Sequence, residues 1–204
     1  MRPACWPAIY RHNYDCATPA PSRISGNDCV SRPILALQGA SSLLIQQAME
    51  AFAERRRREG FRVAGLIEVK AGPDGPGCTG QAMLDLSTGR LYPLAQDLGP
   101  CAIACHLDSS SVADACAGVM NAISEGCDVV VLSKFGKLEA DRSGLLDAFG
   151  LAISEGLPVL TAVAPAFTER WDAFSAPLAE FSLPDSERLE RWWDHVSARQ
   201  AAAE

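Results

Sequence analysis

Two short segments of this 204-residue chain combine residue types that handle anions. The first is Gln38-Gly39-Ala40-Ser41-Ser42, which stands between the apolar run Ile34 to Leu37 and a long helical pattern. A strand-to-helix turn of this kind presents free N–H groups and the positive end of a helix dipole. Gly39, Ser41 and Ser42 would add N–H groups and hydroxyls suited to a tetrahedral oxyanion such as phosphate or molybdate. The second segment, Ser133-Lys134-Phe135-Gly136-Lys137-Leu138-Glu139, follows the apolar run Cys127 to Leu132. Lys134 or Lys137 would bring the charge, and Ser133, Gly136 and Glu139 would complete one rim of a ligand crevice.

A working phosphate loop needs G-x-x-x-x-G-K-[ST]: a glycine wrap, a lysine on the β- and γ-phosphates, and a hydroxyl on Mg²⁺. Here the turn reads L-Q-G-A-S-S-L-L, with one glycine and no lysine. A phosphate-loop hydrolase also places carboxylates after a neighbouring strand to hold metal or polarise water. In this chain Ser133 and Lys134 occupy that place, so Mg²⁺ is not expected and hydrolysis by the usual route is not either.

Each candidate has a plainer alternative. Ser41 or Ser42 would serve as a helix cap, which is the commoner job for a serine there. Asp108, after Cys105-His106-Leu107, would orient a ligand or cap the helix that follows. Lys137 and Glu139 would form an incidental surface pair worth under about 1 kcal/mol. Cys101, Cys105 and His106 have no zinc-site spacing and no paired second half. His195 reads as a surface residue, and Arg55 to Arg58 as a solvated helix end.

The elements that must position these residues follow from periodicity. Ile34 to Gln38 reads as a strand, and Leu44, Ala48, Ala51 and Phe52 recur at helical spacing up to the stop at Gly60. Phe61 to Val69 is the next strand, which makes a right-handed βαβ unit. After the Gly- and Pro-rich stretch Gly72 to Gly80, Gln81 to Leu86 and Arg90 to Leu94 form a hairpin. Then come a helix from Ser111 to Glu125, a strand to Leu132 and a helix over Leu145 to Glu155. A strand over Leu157 to Ala162, a short helix over Phe167 to Phe174 and a strand over Ala179 to Leu183 follow. The last helix, Ser186 to Ala203, would bury Leu189, Trp192, Trp193 and Val196, with the tryptophans offering a modest partner surface.

Composition narrows the function classes. The chain is 48% hydrophobic and carries a net charge of −7, which argues against nucleic acid as the partner. Its longest apolar stretches fall far short of the roughly 20 residues that span a membrane. Eight cysteines in a chain able to bury its own core, with no secretory signal, point to a reduced, cytoplasmic protein. Residues 1–32 hold four Arg, two Asp and no apolar periodicity; they are expected to be a disordered extension, leaving 33–204 as a single α/β domain.

The stretch DVVVLSKFGKLEA resembles the D-x-x-x-[IV]-D-E-[IV]-G-x-M-E strand and loop of the small thermophilic-type nucleoside triphosphatases. More closely, RVAGLIE, MLDLSTGRLYPLAQDLGP, CHLD, VVVLSKFGKLEA and GLPVLTAV are similar to a bacterial domain-of-unknown-function family. Its members commonly lie beside molybdate-transport genes. The resemblance covers about Pro33 to Phe174. It implies a three-layer α/β fold with a mostly parallel sheet of the P-loop nucleoside-triphosphatase type, a β-hairpin insertion and a degenerate nucleotide site. The implied ligand is a nucleotide or an oxyanion such as molybdate, and the implied partner is a second copy or a protein of the molybdate pathway. Two departures stand out: family members usually carry Arg where this chain has His106, and the carboxylates and lysine of the triphosphatases are missing. Alternative readings are an atypical triphosphatase or phosphotransferase, with Lys134 or Lys137 replacing the missing lysine and Glu139 placing the water, and a partner-binding domain with an empty site.

Overall fold

The computed structural model describes residues 32–70, 81–94 and 109–202. Residues 1–31, where the N-terminal extension is expected, 71–80, 95–108 (with Cys101, Cys105, His106 and Asp108) and 203–204 lie outside the described residues.

Seven strands form one sheet. They are β1 (Ile34–Leu37), β2 (Val63–Lys70), β3 (Gln81–Asp85), β4 (Leu91–Pro93), β5 (Val129–Phe135), β6 (Val159–Val163) and β7 (Ala179–Ser182), in the order β4-β3-β2-β5-β6-β1-β7. The strands from β2 to β7 in that order run parallel, while β3 and β4 form the antiparallel hairpin read from the sequence. Asp85 closes the hairpin turn by accepting the N–H groups of Ser87 and Thr88. The helices are α1 (Ser42–Arg58), α2 (Ser109–Ser124), the single turn α3 (Lys137–Ala140), α4 (Leu146–Ser154), α5 (Thr168–Ser175) and α6 (Ser186–Ala201). This mixed α/β architecture with its mostly parallel sheet is compatible with the P-loop type.

Strand alternation divides the core between the two faces. Ile34, Ala36, Val130 and Leu132 point to the side of α2, α4 and α5. Leu35, Leu37, Val129 and Val131 point to the side of α1 and α6. Gly65 lets β2 lie against β5: at φ +135° it would carry a Cβ 1.9 Å from the Val131 carbonyl oxygen.

Three expectations change. The strand expected to end at Leu132 runs on through Ser133 and Lys134 to Phe135. Phe135 pairs with Val163 and packs against Phe149, Trp171 and Phe174, so burial of its ring draws two polar residues into the strand. Arg56 is not a solvated helix end. It is 1% exposed, stacks on Phe52 and Trp193, and meets Glu190 at 2.7 Å. Trp192 and Trp193 are buried to 2% and 3% exposure, so α6 offers no tryptophan surface to a partner. Their rings meet Phe52 and Phe61, and the Trp192 indole N–H donates to the Arg32 carbonyl. Cys116 and Cys127 are buried free thiols. Burial raises the pKa of both, that of Cys127 to about 11. No helix among the described residues is long and apolar enough to cross a membrane.

Candidate functional site

Helix α1 leaves β1 on one face of the sheet, whereas α4 and α5, which flank β6 in the chain, pack on the other. Adjacent strands that send their chains to opposite faces open a crevice at their carboxyl ends, the usual ligand position in such sheets. Here that crevice lies between β1 and β6. The Gln38 amide spans it, donating to the Val163 carbonyl at 3.2 Å and to Thr168 Oγ1 at 3.0 Å.

Gly39 turns the chain at φ +87°, and Gly39 to Ser42 are all exposed. A Cβ on Gly39 would come 2.9 Å from Leu183 Cδ2, so the turn sits tightly against the end of β7. Ser41 is the N-cap of α1, its Oγ accepting the Leu44 N–H at 3.4 Å. That is a long bond. The remaining N–H groups of the first turn have no partner within the helix.

The second segment meets α1 through a residue the sequence reading passed over. Gln46 stands one helical turn after Ser42, on the same face. Its Nε2 donates to Ser133 Oγ, and its Oε1 accepts the Glu68 N–H at 3.3 Å. Glu68, near the end of β2, in turn holds Lys134: Nζ lies 3.0 Å from Oε1 and 3.3 Å from Oε2. The peptide between Ser133 and Lys134 is cis. Lys134 and Glu68 are 38% and 28% exposed, so this pair contributes under about 1 kcal/mol and opens cheaply. The structure thus joins Ser133 to α1 through Gln46, and gives Lys134 a resident counter-ion in Glu68. Glu68 was visible as a lone carboxylate in the apolar run FRVAGLIEV, and Gln46 as a polar residue beside Ile45.

Glu139 faces inward. It is 7% exposed, and its two carboxylate oxygens accept the N–H groups of Gly136 at 3.0 Å and Leu145 at 2.9 Å. It therefore braces the loop around α3, with no surface pair to Lys137. Gly144, at φ +65°, would place a Cβ 2.2 Å from Glu139 Oε1, so this loop is shaped around the carboxylate. Lys137, the first residue of α3, is exposed. His195 is exposed on α6, as expected. Among the described residues no group of three or more His, Cys, Asp or Glu is placed to hold a metal ion.

Comparison with known proteins adds context. Over 149 residues the chain is 39% identical to the molybdenum import ATP-binding protein ModC 2 of Bradyrhizobium diazoefficiens. The match takes in 72% of this chain but only 16% of that protein, so the chain spans about a sixth of its relative's length. No solved structure matches. Residues 34–192 match the model of a family described as a protein of unknown function, which covers all seven strands and α6 up to Trp192. On that match the chain belongs to the DUF2478 family.

Proposed function

We propose that this domain binds a small anion, an oxyanion or the phosphate of a nucleotide, at the carboxyl ends of β1 and β5, and that it serves molybdate handling without hydrolysing a nucleotide by the usual P-loop route. One observation carries the reading: Gln46, one helical turn beyond the exposed turn Gly39 to Ser42, donates to Ser133 Oγ, next to Lys134 in the chain. The donors the site would use are first-turn N–H groups, the Ser41 and Ser42 hydroxyls and the Lys134 ammonium. That set suits a tetrahedral dianion, whose oxygens only accept. The fold would then be a P-loop triphosphatase scaffold with a degenerate nucleotide site, working in the cytoplasm.

The molybdenum context rests on the likeness to ModC 2. A match to a sixth of that protein does not carry its ATP-binding activity across. The two nearby carboxylates are also engaged, Glu139 by backbone N–H groups and Glu68 by Lys134. This weighs against an atypical triphosphatase.

Calorimetric titration of the 204-residue chain with molybdate, phosphate, ATP and GTP, each with and without Mg²⁺, tests the reading. Binding of at least one, weakened roughly tenfold or more in Lys134→Ala, is expected for loss of a charged hydrogen bond. Absence of binding to all four would refute it.

A second reading, a partner-binding domain, draws on a different feature. Leu43 and Leu44 are 59% and 55% exposed at the start of α1, and Phe181 in β7 and Leu183 just after it are 41% and 48% exposed. If these side chains meet a partner, Leu43→Ser with Leu44→Ser leaves anion titrations unchanged and abolishes self-association or capture of a molybdate-pathway protein.

A further inference from the structure

We infer that Glu68 is the resident anion of the site, and that an incoming oxyanion binds by displacing it from Lys134. The inference rests on the anion-binding reading above and specifies how that site sets its affinity.

Glu68 comes from β2 and Lys134 from β5, which lie side by side in the sheet. Both carboxylate oxygens lie within 3.3 Å of Nζ, so the ammonium is already neutralised when no ligand is bound. The Glu68 backbone is meanwhile held by Gln46, and the same amide holds Ser133. Lys134, its counter-ion and α1 are therefore linked by one side chain. Half exposure lets the Lys134 ammonium swing between the carboxylate and a ligand without being buried unpaired at any stage. A ligand must outcompete a carboxylate that is tethered beside the lysine and always present. The site consequently holds its affinity below what a free ammonium would give, and Glu68 is the residue that sets it.

The test is titration of the full chain and of Glu68→Gln, Lys134→Ala and the double variant with sodium molybdate and inorganic phosphate. Glu68→Gln keeps the side chain's size and frees the ammonium. It is expected to bind roughly three- to tenfold tighter, from the lost competition of a half-exposed pair and the lost repulsion. In the Lys134→Ala background the same change should gain less than about twofold, because there is no longer a pair to open. Glu68→Asp, which keeps the charge, should stay within about twofold of the parent chain and controls for any folding defect in Glu68→Gln. A parent chain that binds while Glu68→Gln binds no tighter overturns the inference and leaves the anion site standing. Equal gains with and without Lys134 overturn it as well, since repulsion alone would explain them. Failure of every one of these proteins to bind either anion overturns the inference, and if ATP and GTP also fail to bind the parent chain the underlying reading falls with it.

Discussion

Glu139→Gln separates a structural carboxylate from a ligand-handling one. The carboxylate is 7% exposed and accepts two backbone N–H groups, from Gly136 at 3.0 Å and Leu145 at 2.9 Å. A glutamine keeps one acceptor oxygen and turns its NH₂ toward the other N–H, so one charge-assisted bond is lost and a buried donor is orphaned. Hydrogen bonds to charged groups contribute about 1.5–3 kcal/mol and an orphaned buried group costs about 1–3. Allowing for overlap between the two, the expected loss is about 3 kcal/mol. For a domain of this size that lowers Tm by roughly 6–12 °C. Urea denaturation followed by far-ultraviolet circular dichroism measures it, and anion titration of the folded variant supplies the second readout. Binding per folded molecule should stay within about threefold of the parent chain, since the carboxylate faces the loop. Gly144→Ala should reproduce the destabilisation, because its Cβ would press on Glu139 Oε1. A Glu139→Gln protein within about 0.5 kcal/mol of the parent chain, or one equally stable but unable to bind, would refute the argument.

Other perturbations follow from particular contacts. Gly65→Ala drives a methyl group into the Val131 carbonyl; a loss of roughly 3 kcal/mol or more, or failure to express as folded protein, is expected, read by denaturation or soluble yield. Arg56→Ala removes the buried guanidinium between Phe52 and Trp193 and leaves Glu190 with only Arg55; about 2–3 kcal/mol should be lost, with a change in tryptophan fluorescence as Trp193 loses its stacked cation. Partial burial pushes the Asp128 carboxyl up, but hydrogen bonds from the Arg62 side chain and backbone outweigh it and hold its pKa below the usual range. A depressed pKa contributes stability above the unfolded value of about 4 and loses it as pH falls through the folded one. Asp128→Asn should therefore flatten the acid limb of a stability–pH curve below about pH 4, by under about 1 kcal/mol given the exposure of Arg62.

Much of the fold was legible because it depends on neighbours along the chain. The apolar stripe of α6 reads directly from Leu189, Trp192, Trp193 and Val196, all four of which are buried. The hairpin reads from Ser87-Thr88-Gly89, and the double-sided burial of β5 from its run of valines. The turn at Gly39 and the cap at Ser41 were equally local.

What escaped the sequence is set across the sheet. Ser133 and Lys134 looked like loop because polar residues after an apolar run usually are; the pairing of Phe135 with Val163 makes them strand. Arg56 looked solvated in a run of four arginines, and only the packing of α6 on α1 shows which of the four is buried against Phe52 and Trp193. The Lys134–Glu68 pair joins residues 66 apart, and no local pattern encodes that partnership. Backbone conformation responds to the side chains a few residues away, so periodicity determines the elements. The partner of a charge depends on which strands become neighbours and in what register, and that is decided only when the two cores close on either side of the sheet.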